Sequence, residues 1–77
     1  MTITEVRDWV KGVDVAGQKL AFVELARDDH SVRLALTPTP EQLLDLKIGV
    51  PLRSKRGDPK NVLIRSDGQI ILMVFTH

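Results

Sequence analysis

The stretch QIILMVF at residues 69–75 decides how this chain folds, because residues 70–75 are apolar without a break. In a β-strand, alternate side chains point to opposite faces of the sheet. An apolar strand of this kind therefore needs cover on both faces. The two residues before it, Asp67-Gly68, accept positive φ at both positions of a two-residue turn. The stretch is thus predicted to be the second strand of a hairpin whose first strand includes residues 62–65.

The length of the chain limits how this cover can be supplied. The 77 residues predict one small domain, residues 1–77. A single core below about 80 residues rarely supplies more than about 3–5 kcal/mol of stability. The chain has no cysteine and two histidines, so we expect no disulfide, no metal site and no cofactor. Association with a second copy is the remaining way to stabilise such a domain.

Charge and hydropathy narrow the class of partner. Eleven basic and ten acidic residues give a net charge of +1, which does not by itself indicate nucleic acid. No apolar run approaches the roughly 20 residues of a membrane span, and the start, MTITEVRDWVKG, lacks the apolar segment of a signal peptide. We expect a cytoplasmic protein with no membrane partner.

Two capping boxes predict two helices. Thr39-Pro40-Glu41-Gln42 places threonine at the N-cap, proline at N1 and glutamine at N3, and Gly49 is expected to end that helix. The stretch from Thr2 to Glu5 is a second capping box. It leads into apolar residues at helical spacing, namely Val6, Trp9, Val10 and Val13. An edge strand is the alternative for residues 3–11.

The two halves of the chain look alike. Residues 6–15 align with residues 43–52, so that Asp8, Gly12 and Val13 fall on Asp45, Gly49 and Val50. Chance alignment is the alternative, because the identities are few. The prediction is an α+β fold of two helix–strand–strand pseudo-repeats, about 1–38 and 39–77. They form a four-stranded antiparallel sheet with two helices on one face.

The turns predict which side chains share a face of that sheet. A turn at Asp67-Gly68 sets Ile64 opposite Ile71 and Val62 opposite Met73. A turn at Asp28-Asp29 sets Leu25 opposite Val32, Val23 opposite Leu34 and Glu24 opposite Arg33. The apolar pairs are predicted to lie beneath the helices.

The opposite face is also largely apolar, and a contiguous apolar patch marks an interface. We expect a protein interface there, most simply that of a homodimer. The alternatives are cover by residues 50–60 of the same chain, and a different protein or ligand. The interface residues are predicted to be Leu20, Phe22, Leu63, Ile70, Leu72 and Val74.

A basic segment offers a second surface. Arg53, Lys55, Arg56 and Lys60 lie within eight residues that include one acid, and such residues contact the phosphates of nucleic acid or other anions. Aromatic residues for base stacking are scarce. A solvated loop is the alternative.

No catalytic motif is present. Asp28-Asp29-His30-Ser31 contains the residue types of a hydrolytic triad, but consecutive turn residues cannot converge on one substrate atom. The sequence therefore predicts no enzyme and no small-molecule substrate. It predicts a small interaction protein (a regulator, adaptor or inhibitor) that docks through the uncovered sheet face, with nucleic-acid binding as the alternative.

One segment resembles parts of known families. Residues 42–52, QLLDLKIGVPL, form a helix–glycine–strand pattern. The pattern is similar to segments of the surface-of-antigen-presentation domains of secretion and flagellar motors. It is also similar to segments of the small-barrel domains that bind oxyanions in transport proteins. The likeness is confined to this segment and assigns no functional residue.

Overall fold

The computed structural model describes residues 1–76, and His77 lies outside the described residues. Within them the chain has an α+β fold. The elements in chain order are α1 (Ile3–Lys11), β1 (Asp14–Val15), β2 (Gln18–Lys19), β3 (Phe22–Arg27), β4 (Ser31–Leu36), α2 (Pro40–Asp45), β5 (Asn61–Ser66) and β6 (Gln69–Phe75). Strands β3 to β6 form an antiparallel sheet in the order β3-β4-β6-β5, and β1 pairs with β2 in a separate small hairpin. Neither helix of this part of the chain is long and apolar enough to cross a bilayer.

The first helix forms as its capping box predicts, so the edge-strand alternative is wrong. The Thr2 hydroxyl accepts a hydrogen bond from the Glu5 N–H at 3.2 Å, and the Glu5 carboxylate accepts one from the Thr2 N–H at 3.0 Å. The second of these bonds lowers the pKa of Glu5. Val6, Trp9 and Val10 form the buried stripe of the helix.

The second helix is shorter than predicted. Its capping box is present, but the helix ends at Asp45, before Gly49. Leu43 and Leu44 are exposed, and the buried residue is Gln42. The Gln42 side-chain amide donates to the carbonyls of residues 15, 18 and 19 at 3.0–3.2 Å. This amide fastens α2 to the β1–β2 hairpin, and the prediction that both helices cover one face of the sheet is not confirmed.

The pseudo-repeat is not confirmed either. Both halves of the chain contain a helix followed by a β-hairpin of the main sheet. The first half also contains the β1–β2 hairpin, whereas residues 46–60 in the second half form no strand pair. The two helices also differ, since α1 buries an apolar stripe and α2 buries an amide.

The register of the β5–β6 hairpin is confirmed. Asp67 and Gly68 have φ of 50° and 78°, as a tight two-residue turn requires. Ile64 pairs with Ile71, and Val62 pairs with Met73.

The predicted register of the β3–β4 hairpin is wrong. The Asp28 N–H donates to the Ser31 carbonyl at 2.9 Å, so the turn is Asp29-His30, one residue later than expected. Strand β3 also contains a bulge at Leu25, before this turn. As a result Glu24 pairs with Leu34 rather than with Arg33. The Glu24 carboxylate instead forms an ion pair with Arg7 of α1.

The prediction of which sheet face lies under the helices is also wrong. The face covered by α1, here called the inner face, holds the six residues predicted to form an uncovered interface. Five of them are buried in the core and Phe22 packs against it. The cause is that both faces of β6 are apolar, so the alternation of side chains could not say which face receives α1. The six residues that lie in or against the core, and not in an uncovered interface, are Leu20, Phe22, Leu63, Ile70, Leu72 and Val74.

Candidate functional site

The opposite face of the sheet, here called the outer face, has an ordered pattern of side chains. Three rows cross the strands. Beyond the polar pair Ser66-Gln69 beside the Asp67-Gly68 turn, the first row is wholly apolar, and the next contains one arginine. The third row is completed by a hydrogen bond from the Phe75 N–H to the Lys60 carbonyl at 2.8 Å. The rows are Val23-Ala35-Ile71-Ile64, Ala26-Arg33-Met73-Val62 and Ser31-Phe75-Lys60.

Apolar side chains of the outer face remain accessible. Val23 is 60 % exposed and Leu25, the bulge residue, is 49 % exposed. Ile71 and Ala35, at the centre, are buried and form no part of the core cluster under α1. Single exposed apolar residues are ordinary, but exposed apolar residues that adjoin one another, as Val23 and Leu25 do on β3, are typical of an interaction surface.

A cation lies at one end of the outer face. The Lys60 ammonium is 5.6 Å from the centre of the Phe75 ring, a distance at which a cation is attracted to the face of an aromatic ring. The Asp67-Gly68 turn stands at the other end of the β5–β6 hairpin. The outer face is therefore polarised along β5, with a cation at its start and a carboxylate beyond its end.

A second surface is a basic groove between three segments of the chain. It has a volume of about 730 Å³ and is lined by the end of α1, the β1–β2 hairpin and the loop of residues 53–56. Five of its lining residues are cationic, and Asp14 is its one acid. The cationic residues are Lys11, Lys19, Arg53, Lys55 and Arg56.

Two polar side chains shape the loop that forms one wall of the groove. The Asp58 carboxylate accepts from the Ser54 N–H at 2.7 Å and pairs with Arg53 at 3.4 Å. Asn61 is buried, accepts from the Leu52 N–H at 2.7 Å and donates to the carbonyls of Leu52 and Pro59 at 3.1 and 2.7 Å. Asn61 thus holds both ends of the loop together.

The loop is also attached to α1. The Trp9 indole N–H donates to the Gly57 carbonyl at 2.6 Å. The aliphatic part of Arg56 lies against Gly12, where an added Cβ would come within 3.3 Å of the Arg56 Cδ. The Arg56 guanidinium reaches the Asp8 carbonyl at 3.4 Å, and a cation is favoured near the carboxyl end of a helix.

The structure brings together three of the four basic residues that the sequence singled out. Arg53, Lys55 and Arg56 line the groove, whereas Lys60 lies on the outer face. Lys11 and Lys19 are additions that sequence reasoning missed. Lys11 is the basic residue of the last turn of α1, a placement that helix-dipole reasoning could have noted. Nothing local marks Lys19, because its approach to the loop depends on the fold.

The Asp28–Ser31 turn has a structural explanation. The Asp28 carboxylate accepts from the N–H groups of His30 and Ser31 at 2.7 and 2.8 Å. These bonds lower its pKa, with His30 as the larger contributor. The Ser31 hydroxyl also contacts this carboxylate, at 3.3 Å. The acid therefore closes a turn of the β3–β4 hairpin.

Chemical sites of other kinds are not evident in this part of the chain. No three His, Asp or Glu side chains among residues 1–76 are placed to share a metal ion. Comparison with protein-family models, curated proteins and solved structures finds no match to this chain. The outer face and the basic groove are therefore the candidate functional surfaces of this chain.

Proposed function

We propose that this protein is a non-catalytic interaction module that forms a homodimer through the outer face of its sheet. The observation that carries the proposal is the exposure of Val23, at 60 %, in the apolar row that contains Ile71, and of Leu25, at 49 %, next to it on β3. Fully burying one such side chain is worth about 1.5–3 kcal/mol. A partner that covers this face recovers energy that the single chain leaves unused.

The arrangement of charges favours a second copy as that partner. Two sheets can pack face to face about a twofold axis that crosses the strands, with β5 of one copy over β5 of the other. This axis places the Asp67 turn of each copy near the Lys60 end of its partner. Opposite charges then meet at the edges of the contact, while the wholly apolar rows meet near the axis.

The size of the outer face sets the expected strength of the dimer. Four strands about 4.8 Å apart, each about 20 Å long, present about 400 Å² in projection. Stable interfaces bury about 800 Å² on each partner. We therefore expect a weak dimer with a dissociation constant in the micromolar range.

Sedimentation velocity from about 1 µM to 1 mM tests the proposal. The wild-type chain should shift from monomer to dimer across this range. Val23→Glu places a carboxylate in the contact and should weaken dimerisation at least tenfold, a change of about 1.4 kcal/mol. Leu25→Glu is a second variant in the same face and should act in the same direction.

The matched control is Leu44→Glu, which adds the same charge at an apolar residue of α2 that is 84 % exposed. It should dimerise like the wild type, and circular dichroism should show all three variants folded. A wild-type chain that stays monomeric at the highest concentration refutes the proposal. So does a Val23→Glu chain that dimerises as well as Leu44→Glu.

A further inference from the structure

We propose that the basic groove binds the phosphate backbone of nucleic acid without reading the bases. The groove gathers five cationic side chains from three segments that are separate in the sequence, around a space of about 730 Å³. The whole chain has a net charge of +1, so this cluster is a local excess. The surface is distinct from the outer face, and the inference does not rest on dimerisation.

Few of these cations are neutralised within the chain. Among the residues 1–76, no carboxylate lies within salt-bridge distance of Lys11, Lys55 or Arg56. Arg56 instead donates to a main-chain carbonyl. The pairs Lys19–Asp14 at 2.9 Å and Arg53–Asp58 at 3.4 Å are exposed. Exposed pairs are worth about 0–1 kcal/mol, so a phosphate can displace these carboxylates at little cost.

The residues that line the groove favour a nucleic-acid backbone over other anions. None of the eight lining residues is aromatic or aliphatic, so the groove has no platform for stacking a base and no apolar side chain to enter a lipid layer. Trp9 cannot serve as a platform because it is 3 % exposed and holds the loop from beneath. Five cations on three segments suit a chain of phosphates, and two arginines can each bind a phosphate in bidentate fashion.

Anisotropy of a fluorescein-labelled single-stranded DNA of mixed sequence, about 20 nucleotides long, tests this proposal. The affinity for single strands falls with salt with a log–log slope of about −0.7 per phosphate neutralised. Five contacts give a slope of about −3.5, which is about a 130-fold loss of affinity between 50 and 200 mM salt. The variant Lys11→Ala/Lys55→Ala should reduce the slope to about −2.1, an 18-fold loss over the same range.

The control variant is Lys47→Ala/Arg65→Ala, which removes two exposed cations that do not line the groove. It should keep the wild-type slope, although its net charge equals that of the groove variant. An unlabelled oligonucleotide of different sequence should displace the probe at the same concentration as the unlabelled probe sequence.

Four results would overturn the inference. One is the absence of binding at 50 mM salt with about 100 µM protein. Another is a groove variant whose slope equals that of the control. A third is displacement by polyglutamate as effective as by DNA, which would assign the groove to acidic proteins. The last is sedimentation with phosphatidylserine vesicles in the absence of DNA binding, which would assign it to lipid.

Discussion

Replacing Leu72 by alanine tests whether the inner face of the sheet is the core. Leu72 is 0 % exposed and lies in register between Leu34 of β4 and Leu63 of β5, which are also buried. Substituting a buried leucine by alanine costs about 2–5 kcal/mol, and more where the surroundings cannot collapse into the cavity. Two buried leucines in paired strands resist such collapse, so we expect about 3–5 kcal/mol. A single core of this size rarely supplies more than about 3–5 kcal/mol of stability, so Leu72→Ala should unfold a large fraction of the molecules.

Urea denaturation, followed by circular dichroism and by the fluorescence of the buried Trp9, measures this loss. The protein concentration is kept below the range in which the proposed dimer would form. Met73→Ala, one residue later on the outer face, should cost about 1 kcal/mol or less, since Met73 is partly exposed. Leu44→Ala makes the same chemical change at an exposed residue of α2 and should leave stability almost unchanged. A larger loss for Met73→Ala than for Leu72→Ala would show that the inner face is not the core.

Two further predictions concern polar side chains that hold turns and helices in place. Gln42→Glu keeps the oxygen that caps α2 but turns the amide donor toward the β1–β2 hairpin into an acceptor. It should lower the urea midpoint at pH 7 by the equivalent of about 1–3 kcal/mol of unfolding free energy. This loss of stability should become smaller at low pH, where the new carboxyl group is protonated and can donate. A loss that does not change with pH contradicts this reasoning. Asp28→Asn keeps an oxygen for the same N–H groups but removes the titration. Because folding lowers the pKa of Asp28, its carboxylate stabilises the wild type above the unfolded pKa of about 3.9. This contribution is lost as the pH falls through the lowered pKa that Asp28 has in the folded state. The wild-type urea midpoint should therefore fall more steeply below about pH 4 than that of Asp28→Asn, and parallel curves would refute the assignment.

Local sequence chemistry was sufficient for the caps and for one turn. The capping boxes that begin at Thr2 and Thr39 form as predicted, and so does the turn at Asp67-Gly68. Each depends on hydrogen bonds or backbone preferences within about four residues. These caps and this turn do not depend on distant parts of the chain, and for this reason the sequence was sufficient to predict them.

The turn between β3 and β4 could not be placed in this way. Asp28-Asp29 and Asp29-His30 are both acceptable turn pairs, and the choice between them depends on the Asp28 carboxylate and on the bulge at Leu25. A shift of one residue exchanges the two faces of a strand. The predicted pairing of Glu24 with Arg33 failed for this reason.

Contacts between residues far apart in the sequence determine which face of the sheet α1 covers. Both faces of β6 are apolar, so the choice depends on how α1 packs, and the ion pair of Arg7 with Glu24 is part of that packing. The basic groove is of the same kind, because Lys11 and Lys19 reach the loop of residues 53–56 through the fold. The basic loop could be predicted from the sequence, but the approach of Lys11 and Lys19 to it could not.

The two proposed surfaces are compatible because they lie on different sides of the sheet. The groove includes the end of α1, which packs on the inner face, whereas the proposed dimer contact uses the outer face. Two sheets packed about 10 Å apart would leave α1 of each copy outermost, so the proposed dimer leaves both grooves accessible. A dimer would then offer two phosphate-binding grooves to one nucleic acid, and paired sites raise the overall affinity without any new contact. The salt dependence of DNA affinity in a single groove depends on the cations of that groove. The Val23→Glu chain, in which dimerisation should be weakened, can therefore be used to measure this dependence for one groove alone. Each proposal can therefore fail while the other stands.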